Sequence, residues 1–362
     1  MVAFHVERFG GRQSQPQRVD SLRPIDWRTV AIFFRKRKPT KDAHPKESNN
    51  NDVDVSRGTD RLSATPRRAK PNYDEYGVDL ESEYGDELLP EEVDEVRLPR
   101  PKKPRVIVVA NQKGGVGKTT TTVNIAMALA LGGLNVLVID NDPQGNASTA
   151  LGVDHPQGTL GTYEVLIEGD PIVAHAQQTP HSPNLHVLPA TIDLAAAEME
   201  LAGAEAREAR MQRAVTNYLE ESGADYVFID CPPSLGLLTL NALVAADEIM
   251  VPIQTEYYAL EGVTALMNTI NRVKGGFNDG LRLSNILLTM YDRRTNLSKD
   301  VAAEVRAHFP EQLLDVEIPR SVRIAEAPSF GQTVLTYQPR SDGAVAYVEA
   351  AKQIANQVEV KE

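Results

Sequence analysis

The chain of 362 residues contains a single cysteine, Cys231, and little else that would support a secreted or membrane-spanning protein. One cysteine excludes an internal disulfide framework and a cysteine-rich metal site within one subunit. No apolar run approaches the roughly 20 residues needed to span a bilayer, and the charged N-terminal residues do not form the apolar core of a secretory signal. We therefore expect a cytoplasmic protein without membrane insertion.

The N-terminal part lacks a sustained apolar period. Residues 1–104 are rich in Arg, Pro, Asp, Glu, Ser and Asn, so they cannot bury enough apolar surface to offset the entropy of ordering, and we predict a disordered extension. Its charges lie in blocks, since residues 35–70 are mainly basic and residues 74–95 contain eleven acidic and no basic side chains. The apolar residues 27–34 are expected to dock as a short strand or helix. A solvated leader without a partner, or a start codon placed too early, are alternatives that stay open.

The formal negative charge belongs to the rest of the chain. Residues 1–104 contain 20 basic and 19 acidic side chains, whereas residues 105–362 contain 18 basic and 31 acidic side chains, a net charge of −13.

A glycine-rich segment, residues 113–120 (KGGVGKTT), connects an apolar run at 106–110 to a helical pattern over 121–131. Its glycines allow a tight turn whose N–H groups point into one concavity, and the following helix adds the positive end of its dipole. A plain turn is the alternative, but the complete phosphate-loop pattern in a strand-to-helix context favours a polyphosphate site. We therefore predict a nucleotide with Mg²⁺.

The residues of this loop have separate predicted roles. Lys118 is expected to reach the β- and γ-phosphates, and the Thr119 hydroxyl to complete the Mg²⁺ shell. A general NTPase loop does not need a second cation, so our hypothesis is that Lys113 reaches phosphates bound by another subunit. The predicted nucleotide-binding residues of the loop are Gly114, Gly115, Val116, Gly117, Lys118, Thr119 and Thr120.

Two further apolar strands, 135–140 and 225–230, end in acidic residues. Open α/β sheets bind ligands at the carboxyl ends of their strands. Asp140 and Asp142 are expected there to orient attacking water or magnesium-bound water, with a turn capped by Asp140 as the alternative. Asp230 is expected to hold the metal through water, because a carboxylate at that place without a ligand would be a poorly solvated charge.

The alternation of apolar strands and helical patterns predicts the fold. We expect an α/β domain over residues 105–362 with a doubly wound, mostly parallel sheet of the P-loop NTPase type, covered by helices on both faces. One long amphipathic helix is predicted over residues 194–221.

Four arginines near the C-terminus lie in short polar loops of this acidic domain: Arg293, Arg294, Arg320 and Arg323. They could form a positive patch that binds phosphates without reading bases. Scattered surface arginines are the more common explanation of such spacing.

Five separated motifs, in the expected order, resemble those of the ParA/Soj family of chromosome-partitioning ATPases, which carry the deviant phosphate loop of the MinD/ParA superfamily. The motifs are residues 113–120, 140–146, 229–235, 256–262 and 326–331. The resemblance covers the chain from about residue 105 to the C-terminus.

This resemblance implies an ATPase that needs ATP and Mg²⁺ and closes into a homodimer around two nucleotides. Lys113 matches the signature lysine that contacts the ATP of the opposite subunit, Asp142 the acid needed for hydrolysis, and Asp230 the acid on the metal side. Arg294 and Arg323 match arginines that grip DNA without sequence preference. We thus expect Lys113, Lys118 and Asp142 to be catalytic and Thr119 and Asp230 to hold the metal.

The implied mechanism is a slow switch. The ATP-closed dimer binds double-stranded DNA on the nucleoid, and a ParB-type partner bound at centromere-like sites stimulates hydrolysis and releases the dimer. A net charge of −13 should repel DNA from a monomer, so binding must depend on dimer geometry and weaken with salt. Met290 and Pro319 are candidates for contact with adenine.

The N-terminal extension departs from the plasmid relatives that carry a helix-turn-helix domain there. It has no such periodic helices, which argues against repression at an operator, and we expect instead a tether, for example to a polar scaffold.

Three rival functions are weaker. A MinD-like membrane switch needs a basic amphipathic C-terminal helix, and residues 350–362 lack a cationic face. An iron-sulfur ATPase of the nitrogenase reductase type needs two cysteines in each subunit. A scaffold that binds ATP without hydrolysis is disfavoured by the presence of Thr119, Asp142 and Asp230.

Overall fold

The structure is a computed structural model that describes residues 97–257 and 259–357. Most of the predicted disordered extension, with its charge blocks and the apolar residues 27–34, lies outside the described residues. The last part of the extension contacts the domain. Leu98 is buried and its N–H donates to the carbonyl oxygen of Gly132 over 2.9 Å, and Arg100 pairs with Asp225 at 2.9 Å.

Eight strands of the described residues form one sheet. They are β1 (Arg105–Val109), β2 (Val136–Asp140), β3 (Gln177–Gln178), β4 (Leu185–Leu188), β5 (Tyr226–Asp230), β6 (Glu248–Gln254), β7 (Arg282–Tyr291) and β8 (Leu313–Pro319). Their spatial order is β3-β4-β2-β5-β1-β6-β7-β8, and only the β3–β4 pair is antiparallel. The predicted mostly parallel α/β sheet is confirmed.

The helices in the same part of the chain alternate with these strands. They are α1 (Lys118–Leu131), α2 (Asn146–Ala150), α3 (Thr162–Ile167), α4 (Ile172–His175), α5 (Leu194–Ala202), α6 (Arg210–Ser222), α7 (Leu237–Ala245), α8 (Ala259–Gly276), α9 (Asn296–His308), α10 (Val322–Glu326), α11 (Val334–Tyr337) and α12 (Asp342–Asn356), with a 3₁₀ turn at Ala327–Phe330. Among the described helices, none has the length and apolar character to cross a membrane.

Apolar side chains cover both faces of the sheet, because successive strand residues point to opposite sides. Val106 and Val108 of β1 belong to a core shared with α3 and α5 to α9, whereas Ile107 and Val109 are buried outside that core. On this second face α1 packs against α12. The sheet is therefore enclosed between two helical layers, as a doubly wound fold requires.

The two central strands, β1 and β5, create the crevice in which a ligand can bind. The chain passes from β1 across β5 to β2, and from β5 across β1 to β6. The loops after these neighbouring strands therefore leave in opposite directions, which opens a crevice at their carboxyl ends. The parallel register places Val109 opposite Asp230, so the phosphate loop begins beside that carboxylate.

The single long helix predicted over 194–221 is wrong, because the structure has two helices, α5 and α6. Gly203 ends α5, and Ala206 adopts a left-handed φ of 48°, which cannot continue a right-handed helix. The Asn241 side chain of α7 donates to the carbonyl oxygen of Arg207 over 2.8 Å and holds the break in place.

Candidate functional site

The phosphate loop has the backbone that its sequence predicts. Gly115 and Gly117 have φ values of 73° and 87°, in the region that favours glycine. A Cβ added at Gly114 or Gly115 would meet no atom of the chain within 4 Å, so the space beside both is open to a ligand. A hydrogen bond from β7 also holds the loop, because the hydroxyl of Thr289 donates to the carbonyl oxygen of Val116 over 2.8 Å.

The two lysines of the loop lie in different environments. Lys118 begins α1, is only 7% exposed, and its Nζ donates to the carbonyl oxygen of Lys113 over 3.3 Å. Burial lowers the pKa of Lys118, while Asp230 and Asp142 act in the opposite direction. The side chain of Lys113 is 39% exposed and its Nζ lies 2.8 Å from Oε2 of Glu256. Lys118 thus faces the concavity and Lys113 stays at the rim.

The predicted metal residues touch each other. The Thr119 hydroxyl donates to Oδ2 of Asp230 over 2.6 Å, and the Thr122 hydroxyl donates to Oδ1 over 3.0 Å. Burial raises the pKa of Asp230 to about 8, and the neighbouring charge of Asp140 adds to this. Because Thr119 gives its proton to Asp230, its lone pairs remain for a cation. Hydroxyl and carboxylate oxygens are ligands that Mg²⁺ accepts.

Phosphate oxygens would have to complete such a metal shell. Among the described residues, no group of three or more His, Cys, Asp or Glu side chains could hold a metal ion. The residues present therefore fit Mg²⁺ that arrives with a nucleotide, since Mg²⁺ usually retains water and phosphate ligands and few protein ligands.

The structure separates the two carboxylates at the end of β2. Asp140 is fully buried, and its Oδ2 accepts hydrogen bonds from the N–H of Ser148 over 2.8 Å and from its hydroxyl over 2.7 Å. Asp140 thus holds the short helix α2 rather than water, and the alternative of a capped turn is the better description. Asp142 lies nearer the surface, and its Oδ1 accepts the N–H of Gln144 over 3.0 Å. Of these two carboxylates, Asp142 is therefore the better candidate for orienting water.

The adenine candidates lie on neighbouring strands. Met290 has a φ of 52°, which is unusual for a residue with a side chain. It follows Thr289, which contacts the phosphate loop. Pro319 ends β8 and is in register with Tyr291 of β7. Both candidates are therefore at the carboxyl edge of the sheet that carries the loop.

The arginines predicted to bind DNA also lie at this edge. The loops after β7 and β8 are joined by the N–H of Arg320, which donates to the carbonyl oxygen of Tyr291 over 3.1 Å. The Arg294 side chain is 89% exposed, and its Nη2 lies 2.9 Å from Asp292. The Arg323 side chain is 50% exposed, and its Nη1 lies 3.2 Å from Glu326. Each arginine predicted to contact DNA is thus paired with a carboxylate of the same chain.

Some contacts of the site were not predicted from the sequence. Thr122 supports Asp230, and its position four residues after Lys118 on the same helical face was a usable signal. The bonds from Thr289 to Val116 and from Lys113 to Glu256 join residues 173 and 143 positions apart, and no local pattern indicates them.

Sequence comparison agrees with this geometry. A family model described as an AAA domain matches residues 104–283. The chromosome partitioning protein ParA of Caulobacter vibrioides is 49% identical over 250 residues, which cover 69% of this chain and 93% of the relative. The sporulation initiation inhibitor protein Soj of Bacillus subtilis is 46% identical over 251 residues, which cover 69% of this chain and 98% of the relative.

Solved structures agree as well. Cobyrinic acid a,c-diamide synthase from Mycobacterium smegmatis, solved with ADP and magnesium, has a TM-score of 0.61 and 38% identity over 70% of this chain and 95% of that chain. The Pyrococcus furiosus cell division ATPase MinD has a TM-score of 0.58 and 27% identity over 70% of this chain and 98% of that chain. The bound ADP and magnesium in the first structure agree with the predicted cofactors. Since relatives share nearly half of their residues with this chain over almost their whole length, the chain belongs to the ParA/Soj family of chromosome-partitioning ATPases.

Proposed function

We propose that this protein is an ATP-dependent switch that partitions a chromosome or a plasmid. ATP and Mg²⁺ close two copies into a dimer, the dimer binds double-stranded DNA without sequence preference, and a ParB-type partner stimulates slow hydrolysis to ADP and phosphate. The observation that carries the proposal is the difference in burial between the two lysines of one loop. Lys118 is buried against an open concavity, and Lys113 stands at its exposed rim.

The residues of the loop explain how nucleotide would be held. The backbone N–H groups of the loop would donate to the phosphates. Lys118 would exchange its bond to the carbonyl oxygen of Lys113 for a stronger, charge-assisted bond to phosphate. Thr119 and Asp230 would hold Mg²⁺, the hydroxyl directly and the carboxylate through water. When bound, the cation supplies neutralisation of the charge that develops on the phosphate oxygens.

Hydrolysis needs an oriented water and a second subunit in this proposal. Asp142, which is 9% exposed, would position the water, because Asp140 is occupied by Ser148. Lys113 would leave Glu256 and reach phosphates of the opposite copy. A single chain lacks the lysine of the opposite copy. We therefore expect ATP turnover to be slow before the dimer closes and the ParB-type partner binds.

DNA binding would use Arg294 in the loop after β7 and Arg323 in the short helix α10 after β8, at one edge of the sheet. With a net charge of −13 over residues 105–362, one copy repels DNA as a whole. Two copies joined by ATP would bring two patches to one duplex, so binding should be cooperative with dimerisation and sensitive to salt. The proposed location is therefore nucleoid DNA in the cytoplasm, with the N-terminal extension as a tether to another component.

The membrane alternative has one observation in its favour, the resemblance in fold to MinD. Against it, α12 buries nine of its residues, Gly343, Ala344, Ala346, Tyr347, Val348, Ala350, Ala351, Ile354 and Ala355. The apolar face of this helix is therefore used inside the domain and is not free to enter a bilayer.

Binding to two unrelated DNA duplexes across a salt series tests the proposal. We expect equal, salt-sensitive binding to both duplexes with ATP and little with ADP, and loss of binding in the Arg294→Ala/Arg323→Ala variant. If neither nucleotide promotes DNA binding while ATP drives association with anionic vesicles, the protein is instead a membrane switch.

A further inference from the structure

Each of the two arginines proposed to bind DNA is paired with a carboxylate that is close to it in the sequence. Nε and Nη2 of Arg294 donate to Oδ1 and Oδ2 of Asp292 over 3.0 and 2.9 Å. In the short helix α10, Nη1 of Arg323 donates one hydrogen bond to Oε2 of Glu326 over 3.2 Å. An arginine is thus paired with a nearby carboxylate twice at one edge of the sheet, after β7 and after β8.

The pair at Arg294 is part of a built turn and not a chance encounter of two long side chains. Oδ1 of Asp292 also accepts the backbone N–H of Arg294 over 3.0 Å, and the Thr295 hydroxyl donates to the carbonyl oxygen of Asp292 over 3.1 Å. Thr295 in turn caps α9 by accepting the N–H of Ser298. The Asp292 carboxylate is therefore fixed by the backbone, and the guanidinium is held against it.

This arrangement leaves only one edge of the Arg294 guanidinium for a phosphate. Of its five N–H donors, one on Nε and one on Nη2 point to Asp292, so both donors of Nη1 and the second donor of Nη2 remain. A phosphate bound at that edge would lie within a few ångströms of a second negative charge, which repels it. Glu326 would likewise repel a phosphate bound at Arg323.

We propose that Asp292 and Glu326 set the strength of the DNA interface. They orient the two arginines and at the same time cancel part of their attraction for phosphate, so that one copy binds DNA too weakly to remain and only two copies joined by ATP can hold a duplex. This inference rests on the proposed DNA-binding function. It gives Glu326, the first residue of the motif 326–331, a role as a positioning residue beside DNA.

The test is DNA affinity of the full chain carrying Asp292→Asn, Glu326→Gln or both. Asparagine keeps an acceptor for the N–H of Arg294, so the turn is retained while the charge is removed. Asp279→Asn is the matched control, because it removes the same charge from an exposed loop at the other end of β7, about 30 Å away along a strand of ten residues.

With ATP at low salt, each variant should bind a duplex about 3- to 10-fold more tightly than wild type, and the gain should shrink as salt rises. With ADP, the double variant should bind DNA measurably more tightly than wild type and Asp279→Asn, which should bind little. Unchanged or weaker binding by Asp292→Asn and Glu326→Gln would overturn the inference, as would an equal gain in Asp279→Asn.

The same experiment distinguishes this inference from the function on which it rests. If Arg294→Ala/Arg323→Ala binds DNA as well as wild type does, the proposed DNA surface itself is wrong. If that variant loses binding but the carboxylate variants do not gain it, the surface stands and only the role of Asp292 and Glu326 fails.

Discussion

Lys113 and Lys118 show how two identical side chains of one loop come to lie in different environments. Lys118 is the first residue of α1 and lies almost wholly inside the loop, with its Nζ near the carbonyl oxygen of Lys113. Lys113 extends outward to Glu256, whose other oxygen accepts a hydrogen bond from the Gln254 side chain. We therefore expect Lys118 to bind a nucleotide held by its own chain, and Lys113 to contribute little to that binding.

Nucleotide affinity should therefore separate the two lysines. We expect Lys118→Ala to weaken binding of a fluorescent ATP analogue to the monomer by tenfold or more, since a buried charge-assisted contact is worth about 1.5–3 kcal/mol. Lys113→Ala should change this affinity by less than about threefold. Both titrations use the Mg²⁺ complex at low protein concentration, and a comparable loss in both variants would contradict the separation.

Asp140 carries a pH dependence of stability. Burial raises its pKa to about 6, whereas the ordinary value is 3.8, and the hydrogen bonds from Ser148 reduce this shift only in part. Because the folded-state pKa lies above the unfolded one, the folded state holds an extra proton between these values. The free energy of unfolding therefore falls by about 3 kcal/mol as pH rises from below the ordinary pKa of 3.8 to above the folded-state pKa of about 6.

Urea unfolding of Asp140→Asn at pH 4 and pH 6.5 measures this effect. The variant keeps an acceptor for Ser148 but cannot titrate, so we expect it to lose less stability than wild type over that interval, by about 2–3 kcal/mol. Equal losses in the two proteins would show that Asp140 does not titrate in this range.

At the scale of secondary structure, the strands that carry the site could be predicted and the contacts between them could not. β1, β2 and β5 are short, apolar runs ending in the loop or in an acid, which is a local property of the sequence. The left-handed φ at Ala206 that divides α5 from α6 has no comparable signal, because it is a residue that ordinarily favours helix. The pairing of Lys113 with Glu256 depends on the β1–β6 register, which is set only when the sheet assembles.

A buried ion pair at the amino-terminal ends of β1 and β6 holds these strands to each other and to α12. Arg105 of β1 forms two hydrogen bonds to Glu248 of β6, at 2.8 and 2.6 Å, and a third to the carbonyl oxygen of Ile354 in α12 at 2.7 Å. Arg282 of β7 contacts the same carboxylate over 2.8 Å. Although burial opposes ionisation of Glu248, the hydrogen bonds and charge of Arg105 lower its pKa.

Glu248→Gln should lower the free energy of unfolding by about 3 kcal/mol, because Arg105 would remain buried without its counter-charge. The pair of Glu349 and Lys352, at 3.7 Å, provides the control, because the Glu349 side chain is 51% exposed. Glu349→Gln should cost less than about 0.5 kcal/mol. Chemical denaturation of both variants measures the difference, and similar costs would contradict a structural role for the buried pair.

The whole molecule combines an acidic domain with a set of sites that, in the proposed function, a second copy completes. One chain presents two arginines, each opposed by a carboxylate, on a domain of net charge −13. Lys113, at the exposed side of the loop, is paired with Glu256 of its own chain. In the proposed function, dimerisation driven by nucleotide brings two arginine patches together and gives Lys113 a phosphate of the opposite copy.

Sedimentation of the full chain with a non-hydrolysable ATP analogue and Mg²⁺ tests whether nucleotide drives dimerisation. We predict a mass twice the 39.7 kDa of one chain with the analogue and a single-chain mass with ADP. Lys113→Ala should keep the single-chain mass under both conditions although it still binds the analogue. A wild-type protein that binds the analogue and remains a monomer, or a Lys113→Ala variant that dimerises as wild type does, would contradict the proposed mechanism.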